Sequence, residues 1–280
     1  MNAEKITRAA CLIGWPAAHS RSPLIHHYWL RQLGIEGGYS IEAVPPEGFA
    51  EFVLNLSGHG FVGANVTIPH KERALELSAP DDRARAVGAA NTLWYDGDTL
   101  RSTNTDVEGF INSLDAGAPG WEGAGEAVVL GAGGAARAVV FGMLERGIKR
   151  VHLANRTIDR AQAFARQFGT SVTPLAWEEK EAVLPHASLL VNTTSLGMKG
   201  QPALALDLSP LSPRAVVADL VYVPLETPLL AAARARGLRT ADGLGMLLHQ
   251  AVGGFELWFG QRPKVTAELR ALIEDDLART

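Results

Sequence analysis

The stretch from Glu126 to Arg137 constrains the fold of this chain more than any other. An apolar run, Ala127 to Leu130, meets Gly131-x-Gly133-x-x-Ala136 and passes into a helix-compatible segment, Ala135 to Arg146. Strand, glycine turn and helix in that order form a dinucleotide site: Gly131 permits the tight turn, Gly133 lets backbone amides approach a pyrophosphate, and Ala136 allows close packing. The helix N-terminus offers unpaired N–H groups and positive dipole to the phosphates. Gly-rich turns also serve packing alone, so the next strand, Arg150 to Asn155, carries much of the weight. NAD sites place an acid about 20 residues on, to hold the ribose hydroxyls. Here the strand ends in Asn155-Arg156-Thr157, with Arg160 beyond. A guanidinium pairs with a 2′-phosphate that a carboxylate would repel. A solvated arginine pair at a helix start looks the same in isolation; joined to the glycines, it favours NADP(H) over NAD.

Composition narrows the class. The 280 residues suit one large or two modest domains. Apolar residues at 47% and charged residues at 20% fit a soluble protein with ample core. A net charge of −4 supplies no basic stripe for nucleic acid or an anionic membrane. The single Cys11 can build neither a disulfide framework nor a zinc site, and the apolar run around it is too short for a signal peptide. The expected location is cytoplasmic.

Two halves read differently. In the first, strands at Ala10–Gly14, Tyr39–Val44 and Phe61–Val66 alternate with helices at Pro23–Leu33 and Pro46–Leu56, predicting a parallel α/β unit. Short helices follow at Lys71–Leu77 and Asp81–Val87. Strands Thr92–Tyr95 and Thr99–Ser102 are joined by Asp96-Gly97-Asp98, a hairpin signal. A helix at Val107–Leu114 leads to a Gly-, Ala- and Pro-rich loop over Ala116–Gly125. The second half then offers strands at Ala127–Leu130, Arg150–Ala154, Ser171–Thr173, Leu189–Asn192 and Ala215–Asp219. Helices Leu244–Phe259 and Thr266–Leu277 are expected to return to the first domain. The expected division is 1–106 with 244–280, and 107–243.

Polar clusters of the first half each have a plain reading. Ser20-Arg21-Ser22-Pro23 suits a helix start, with Ser22 as N-cap and Pro23 first in the helix; two hydroxyls there also make a carboxylate receptor. Asn65-Val-Thr67-Ile-Pro69-His-Lys71 begins where a strand ends, the place where open α/β sheets bind ligands. Asn91-Thr92 and Asn104-Thr105-Asp106 fit turns and caps. All of them fall at strand ends or turns of one domain, however, and together they suit a polyhydroxylated small molecule with one cation for proton transfer.

The full set resembles the shikimate dehydrogenase family, in the family's order along nearly the whole chain. It comprises Gly14-x-Pro16, His19-Ser20-x-Ser22-Pro23, Asn65-Val-Thr67-x-Pro69-x-Lys71, Asn91-Thr92, Asn104-Thr105-Asp106, Gly131-Ala-Gly-Gly-Ala135, Asn155-Arg156-Thr157 and Asp242-Gly243-Leu-Gly245-Met246. The resemblance implies an N-terminal α/β substrate domain and a Rossmann-type NADP-binding domain separated by a cleft. It implies reversible reduction of 3-dehydroshikimate to shikimate by NADPH, in aromatic amino-acid biosynthesis, by a monomer or homodimer. By motif position, Ser20 and Ser22 hold the substrate carboxylate with Tyr222 nearby. Thr67, Asn91, Asp106 and Gln250 bind ring hydroxyls, and Asn65 supports the site. Gly131, Ala132, Gly133, Gly134, Ala135, Asn155, Arg156, Thr157 and Arg160 hold the cofactor. Thr193, Thr194, Ser195, Leu220, Gly243 and Met246 lie beside it, Met246 either on the nicotinamide or in ordinary core.

Lys71 and Asp106 form the implied catalytic pair. A lysine ammonium stabilises a developing oxyanion and can exchange a proton with it; a reference pKa of about 10.4 would need lowering for base work. Acid–base and electrostatic roles both stay open. His19, His70 and His249 read as hydrogen-bonded neighbours, and no metal is implied. Two departures stand out: the family commonly has Gly where this chain has Val107 and Ser102. A branched Val107 beside Asp106 is expected to reshape the pocket or restrict a hinge. A quinate/shikimate or aminoshikimate dehydrogenase on the same scaffold is the near alternative, and a non-catalytic NADP- or metabolite-binding regulator the distant one.

Overall fold

The computed structural model describes residues 8–123 and 125–279. They form two compact units. The first runs to Thr105 and includes Gln250–Asp275; the second is Asp106–His249 with the residues from Asp276 onward.

The first unit holds β1 (Arg8–Gly14), α1 (Ser22–Gln32), β2 (Gly37–Ala43), α2 (Phe49–Leu54), β3 (Phe61–Val66), α3 (Lys71–Glu76), β4 (Ala79–Pro80), α4 (Asp82–Val87), β5 (Thr92–Asp96) and β6 (Thr99–Thr103). Its sheet order is β2-β1-β3-β5-β6-β4. The three alternating strands β2, β1 and β3 are parallel as their sequence suggests, but β5 runs antiparallel to both β3 and β6. The sheet is therefore mixed. The reason is the two-residue turn Gly97-Asp98, with Gly97 at φ 61, which can only return a strand beside its predecessor. β4 has two residues and carries Pro80, a residue that an edge strand tolerates.

The second unit holds α5 (Asp106–Gly117), β7 (Glu126–Leu130), α6 (Gly134–Glu145), β8 (Arg150–Asn155), α7 (Ile158–Phe168), β9 (Val172–Ala176), β10 (Leu189–Asn192), β11 (Val216–Asp219), α8 (Pro228–Ala235) and β12 (Arg239–Ala241). α9 (Gly243–Phe259) and α10 (Ala267–Ala278) complete the chain. The sheet order is β12-β11-β10-β7-β8-β9 with every pairing parallel. This is a doubly wound sheet whose strand order reverses between β7 and β10, where such sheets bind dinucleotides. α5 runs three residues beyond its expected end, into the glycine-rich segment, and buried Trp121 packs close behind it. β9 begins one residue late and extends to Ala176 despite Pro174, which its edge position permits.

Each unit has its own core. Cys11, Ile13, Phe49, Val53, Val66 and Leu93 lie at the centre of one; β7, β8 and β10 are sandwiched between two apolar clusters in the other. No helix among the described residues is long and apolar enough to cross a membrane.

Candidate substrate and cofactor sites

The first unit gathers its polar residues at the C-terminal ends of β1 and β3. Strand register does most of this work. Asn65 on β3 pairs with Thr92 on β5, which pairs with Thr103 on β6. Asn65 Nδ2 donates to the Asn91 carbonyl at 3.3 Å and to Thr92 Oγ1 at 3.2 Å, while its Oδ1 accepts from the Tyr39 hydroxyl at 2.6 Å. Asn91 Oδ1 accepts the Thr105 backbone N–H at 2.7 Å, and Asn91 Nδ2 donates to Thr105 Oγ1 at 3.0 Å. Asp106 follows Thr105 directly as the first residue of α5 and is buried. Asn104 is buried too and donates to the Ala89 carbonyl.

Lys71 opens α3, half-buried, and its carbonyl accepts the Ala90 N–H at 2.9 Å, which fixes the start of α3 beside the Asn91 segment. His70 stacks on Phe49 at 4.2 Å and bonds the Val44 carbonyl through Nε2 at 2.7 Å; burial lowers its pKa. Its ring is thus a packed, hydrogen-bonded neighbour of Lys71. Thr67 is seated by a bond from its N–H to the Ile13 carbonyl. Gly14 leaves the space: a Cβ there would fall 2.3 Å from Thr67 Cγ2. Gln250 is half-buried in α9.

The serine pair departs from the expected cap. α1 starts at Ser22 itself, after Arg21, which makes no side-chain cap bond. The Ser20 hydroxyl instead accepts the Ser22 N–H at 3.2 Å and donates to Ser22 Oγ at 3.1 Å. Pro23 has no N–H, so the one donor of the first two helical residues needing a partner is met from outside the helix. The two hydroxyls remain adjacent.

In the second unit the cofactor motif folds as its glycines require. Gly131 sits at φ 101, and a Cβ there would lie 2.8 Å from both Thr193 Oγ1 and Thr194 Cγ2. Thr193 donates from N and Oγ1 to the Leu130 carbonyl, so the loop after β10 lies directly over the turn after β7. Gly133 precedes α6 without capping it by a side chain, and Gly133, Gly134 and Ala135 are exposed or half-buried. Asn155 Oδ1 accepts the Ala132 N–H at 3.1 Å while its Nδ2 donates to the Thr157 carbonyl at 2.8 Å. An uncharged amide thus stands where NAD sites keep an acid, and Arg156, Thr157 and Arg160 are exposed beside it. This donor set fits a pyrophosphate and a 2′-phosphorylated ribose.

Sequence reasoning missed the buried polar group beneath the remaining loops. Asp219, at the end of β11, accepts from Asn192 Nδ2 at 2.9 Å, the Val221 N–H at 3.0 Å and Thr227 Oγ1 at 2.7 Å. Burial raises its pKa against those three donors. Asn192 Oδ1 in turn accepts from the N–H and hydroxyl of Thr194. One carboxylate therefore ties the Thr193–Ser195 loop to the loop carrying Leu220 and half-buried Tyr222. A Cβ on Gly243 would meet the Leu220 carbonyl oxygen at 2.2 Å, so that loop closes onto the start of α9. Leu220, Gly243 and Met246 line one small cavity, and Met246 is buried in the adjoining core.

Three family models match the chain: a shikimate dehydrogenase substrate binding domain over residues 12–93, shikimate / quinate 5-dehydrogenase over 122–198, and a shikimate 5′-dehydrogenase C-terminal domain over 243–273. A shikimate dehydrogenase (NADP(+)) of Rhodopseudomonas palustris strain BisB18 is 79% identical over 97% of this chain and 98% of its own. The structure of shikimate 5-dehydrogenase from Thermus thermophilus in complex with NADP(H) and shikimate has a TM-score of 0.85 at 36% identity, covering 98% of this chain and 99% of that one. Quinate dehydrogenase from Corynebacterium glutamicum in complex with NAD has a TM-score of 0.86 at 32% identity, covering 96% and 99%.

Proposed function

Because the chain belongs to the shikimate dehydrogenase family, we propose that it reduces 3-dehydroshikimate reversibly to shikimate, with NADPH as its cofactor. The observation that carries this reading is 79% identity to an NADP-dependent shikimate dehydrogenase over 97% of the chain. The cofactor half agrees, with Asn155 and two exposed arginines in place of an acid.

In this reading residues 1–106 with 244–280 bind substrate, and 107–243 bind the cofactor. Ser20 and Ser22 take the substrate carboxylate, with Tyr222 nearby; Thr67, Asn91, Asp106 and Gln250 take ring hydroxyls, and Asn65 supports them. When bound, NADPH supplies the hydride. The substrate's carbonyl oxygen must then gain a proton, and Lys71 Nζ holds one to donate or to stabilise the oxyanion with. Asp106 orients that ammonium and the hydroxyl that forms. Gly131 to Ala135 and the first turn of α6 receive the pyrophosphate. Arg156 and Arg160 receive the 2′-phosphate, with Asn155 and Thr157 shaping the loop beside them. Thr193–Ser195 and Leu220 lie beside the cofactor, and Gly243 and Met246 lie near its nicotinamide. The same reading expects a cytoplasmic enzyme that is a monomer or homodimer; light scattering on purified protein tests the oligomeric state.

The test of function is reduction of NADP or NAD by purified protein offered shikimate or quinate. Turnover confined to shikimate with NADP is expected. Preferred turnover of quinate with NAD would move the chain to a sister activity, and binding without turnover on either acid would make it a regulator.

A further inference from the structure

We propose that Tyr39 is a positioning residue for substrate recognition, acting through Asn65; the inference rests on the placement of Asn65 in the substrate site. Tyr39 lies on β2, and its position pairs with Ala10 on β1, which pairs with Gly63 on β3. Asn65 is two residues further along β3, so the four residues share one face of the sheet. Ala10 has a single methyl and Gly63 none, which leaves a lane along which the Tyr39 ring reaches Asn65. The walls of that lane are rigid. Tyr39 stacks on His26 at 4.0 Å between ring centres with 10° between planes, and Trp258 lies against it at 5.9 Å. Trp258 is itself pinned by a 2.8 Å bond from Nε1 to the Leu93 carbonyl. A Cβ on Gly63 would lie 2.2 Å from Trp258 Nε1.

The phenol donates to Asn65 Oδ1 at 2.6 Å, with both residues buried. Both hydrogens of Asn65 Nδ2 are already committed, to the Asn91 carbonyl and to Thr92. The amide can hold that pose only if Oδ1 faces a donor, and Tyr39 is the donor. A buried acceptor deprived of its partner must turn or remain unsatisfied. A turn withdraws Nδ2 from the Asn91 carbonyl, which also accepts the Val66 N–H at the strand end that carries Thr67.

The test is a double-mutant cycle with Tyr39→Phe and Asn65→Ala, read by steady-state kinetics and thermal melting. Tyr39→Phe keeps the stack on His26 and removes only the hydroxyl. We expect it to raise the shikimate KM roughly tenfold, with the NADP KM unchanged and kcat within about twofold. In the Asn65→Ala background the same change should add little, because its target is gone. An unchanged shikimate KM in Tyr39→Phe overturns the proposal, as do equal rises in both KM values or multiplicative effects in the double variant. Asn65→Ala with an unchanged shikimate KM overturns the placement of Asn65 itself, and the proposal with it.

Discussion

Val107, the residue after Asp106, packs toward the bare Cα of Gly142: a Cβ built on Gly142 would come within 3.3 Å of Val107 Cγ1. The valine is 2% exposed and belongs to the α5–α6 contact inside the second unit. The branched side chain that departs from the family pattern therefore fills a hollow left by a glycine on the facing helix. Val107→Gly should lower stability by roughly 2–4 kcal/mol through the cavity it leaves and the added backbone freedom of glycine. The ratio of shikimate to quinate turnover should not move. A change in that ratio, with melting unaffected, would return Val107 to the substrate pocket.

Gly14→Ala places a methyl 2.3 Å from Thr67 Cγ2. Two backbone bonds, Thr67 N–H to the Ile13 carbonyl and Trp15 N–H to the Ile68 carbonyl, hold the two loops together, so the strain falls on Thr67. Overpacking of this kind costs roughly 1–3 kcal/mol. The shikimate KM should rise roughly tenfold while the NADP KM stays put.

Lys71→Ala should cut kcat by roughly 10²–10⁴ with shikimate and NADP. Tryptophan fluorescence and melting should match the parent, since Lys71 is half-buried at a helix start whose backbone bonds remain. Near-normal turnover would remove Lys71 from the chemistry altogether.

Arg156→Ala should weaken NADP by roughly 10–100-fold, as for loss of a charged hydrogen bond, and leave the weaker NAD activity nearly unchanged. The comparison is made by KM for the two cofactors at saturating shikimate. Equal losses with both would show that Arg156 does not read the 2′-phosphate.

His26 predicts an acid limit to stability. It is fully buried among Trp29, Tyr39, Phe255 and Trp258, and neither ring nitrogen has a hydrogen bond of good geometry with a described residue. Burial pushes its pKa from 6.5 down to about 3, helped by the charge of His27 and only weakly opposed by Asn65. The unfolded chain therefore binds the proton first as pH falls. Stability from this residue is full above pH 6.5 and is lost as pH drops from there toward 3, at up to about 1.4 kcal/mol per pH unit. His26→Phe should flatten the dependence on pH of the unfolding free energy read from urea melts over that window. A slope identical to the parent's would assign the acid limit to other groups.

The sequence displayed the cofactor half more openly than the substrate half. Gly131, Gly133 and Asn155 lie within 25 residues of each other, and local chemistry, a φ of 101 and an uncapped helix start, determines what they do. The serine pair was legible as a helix start, yet which hydroxyl meets the first N–H depends on where the helix begins, a matter of one residue. Tyr39 looked like any strand tyrosine. Its partner is 26 residues away, and only the register through Ala10 and Gly63 brings them together. The same holds for Asp219 with Asn192, 27 residues apart. β12 was unread because three strand residues carry little pattern.

The confinement of Tyr39 also gives the fold an optical signature. The chain has four tyrosines, and burial holds the Tyr39 phenol well above the ordinary value of 10. In an alkaline titration this ring gives up its proton later than a tyrosine of ordinary value, so its share of the phenolate absorbance emerges as a late step.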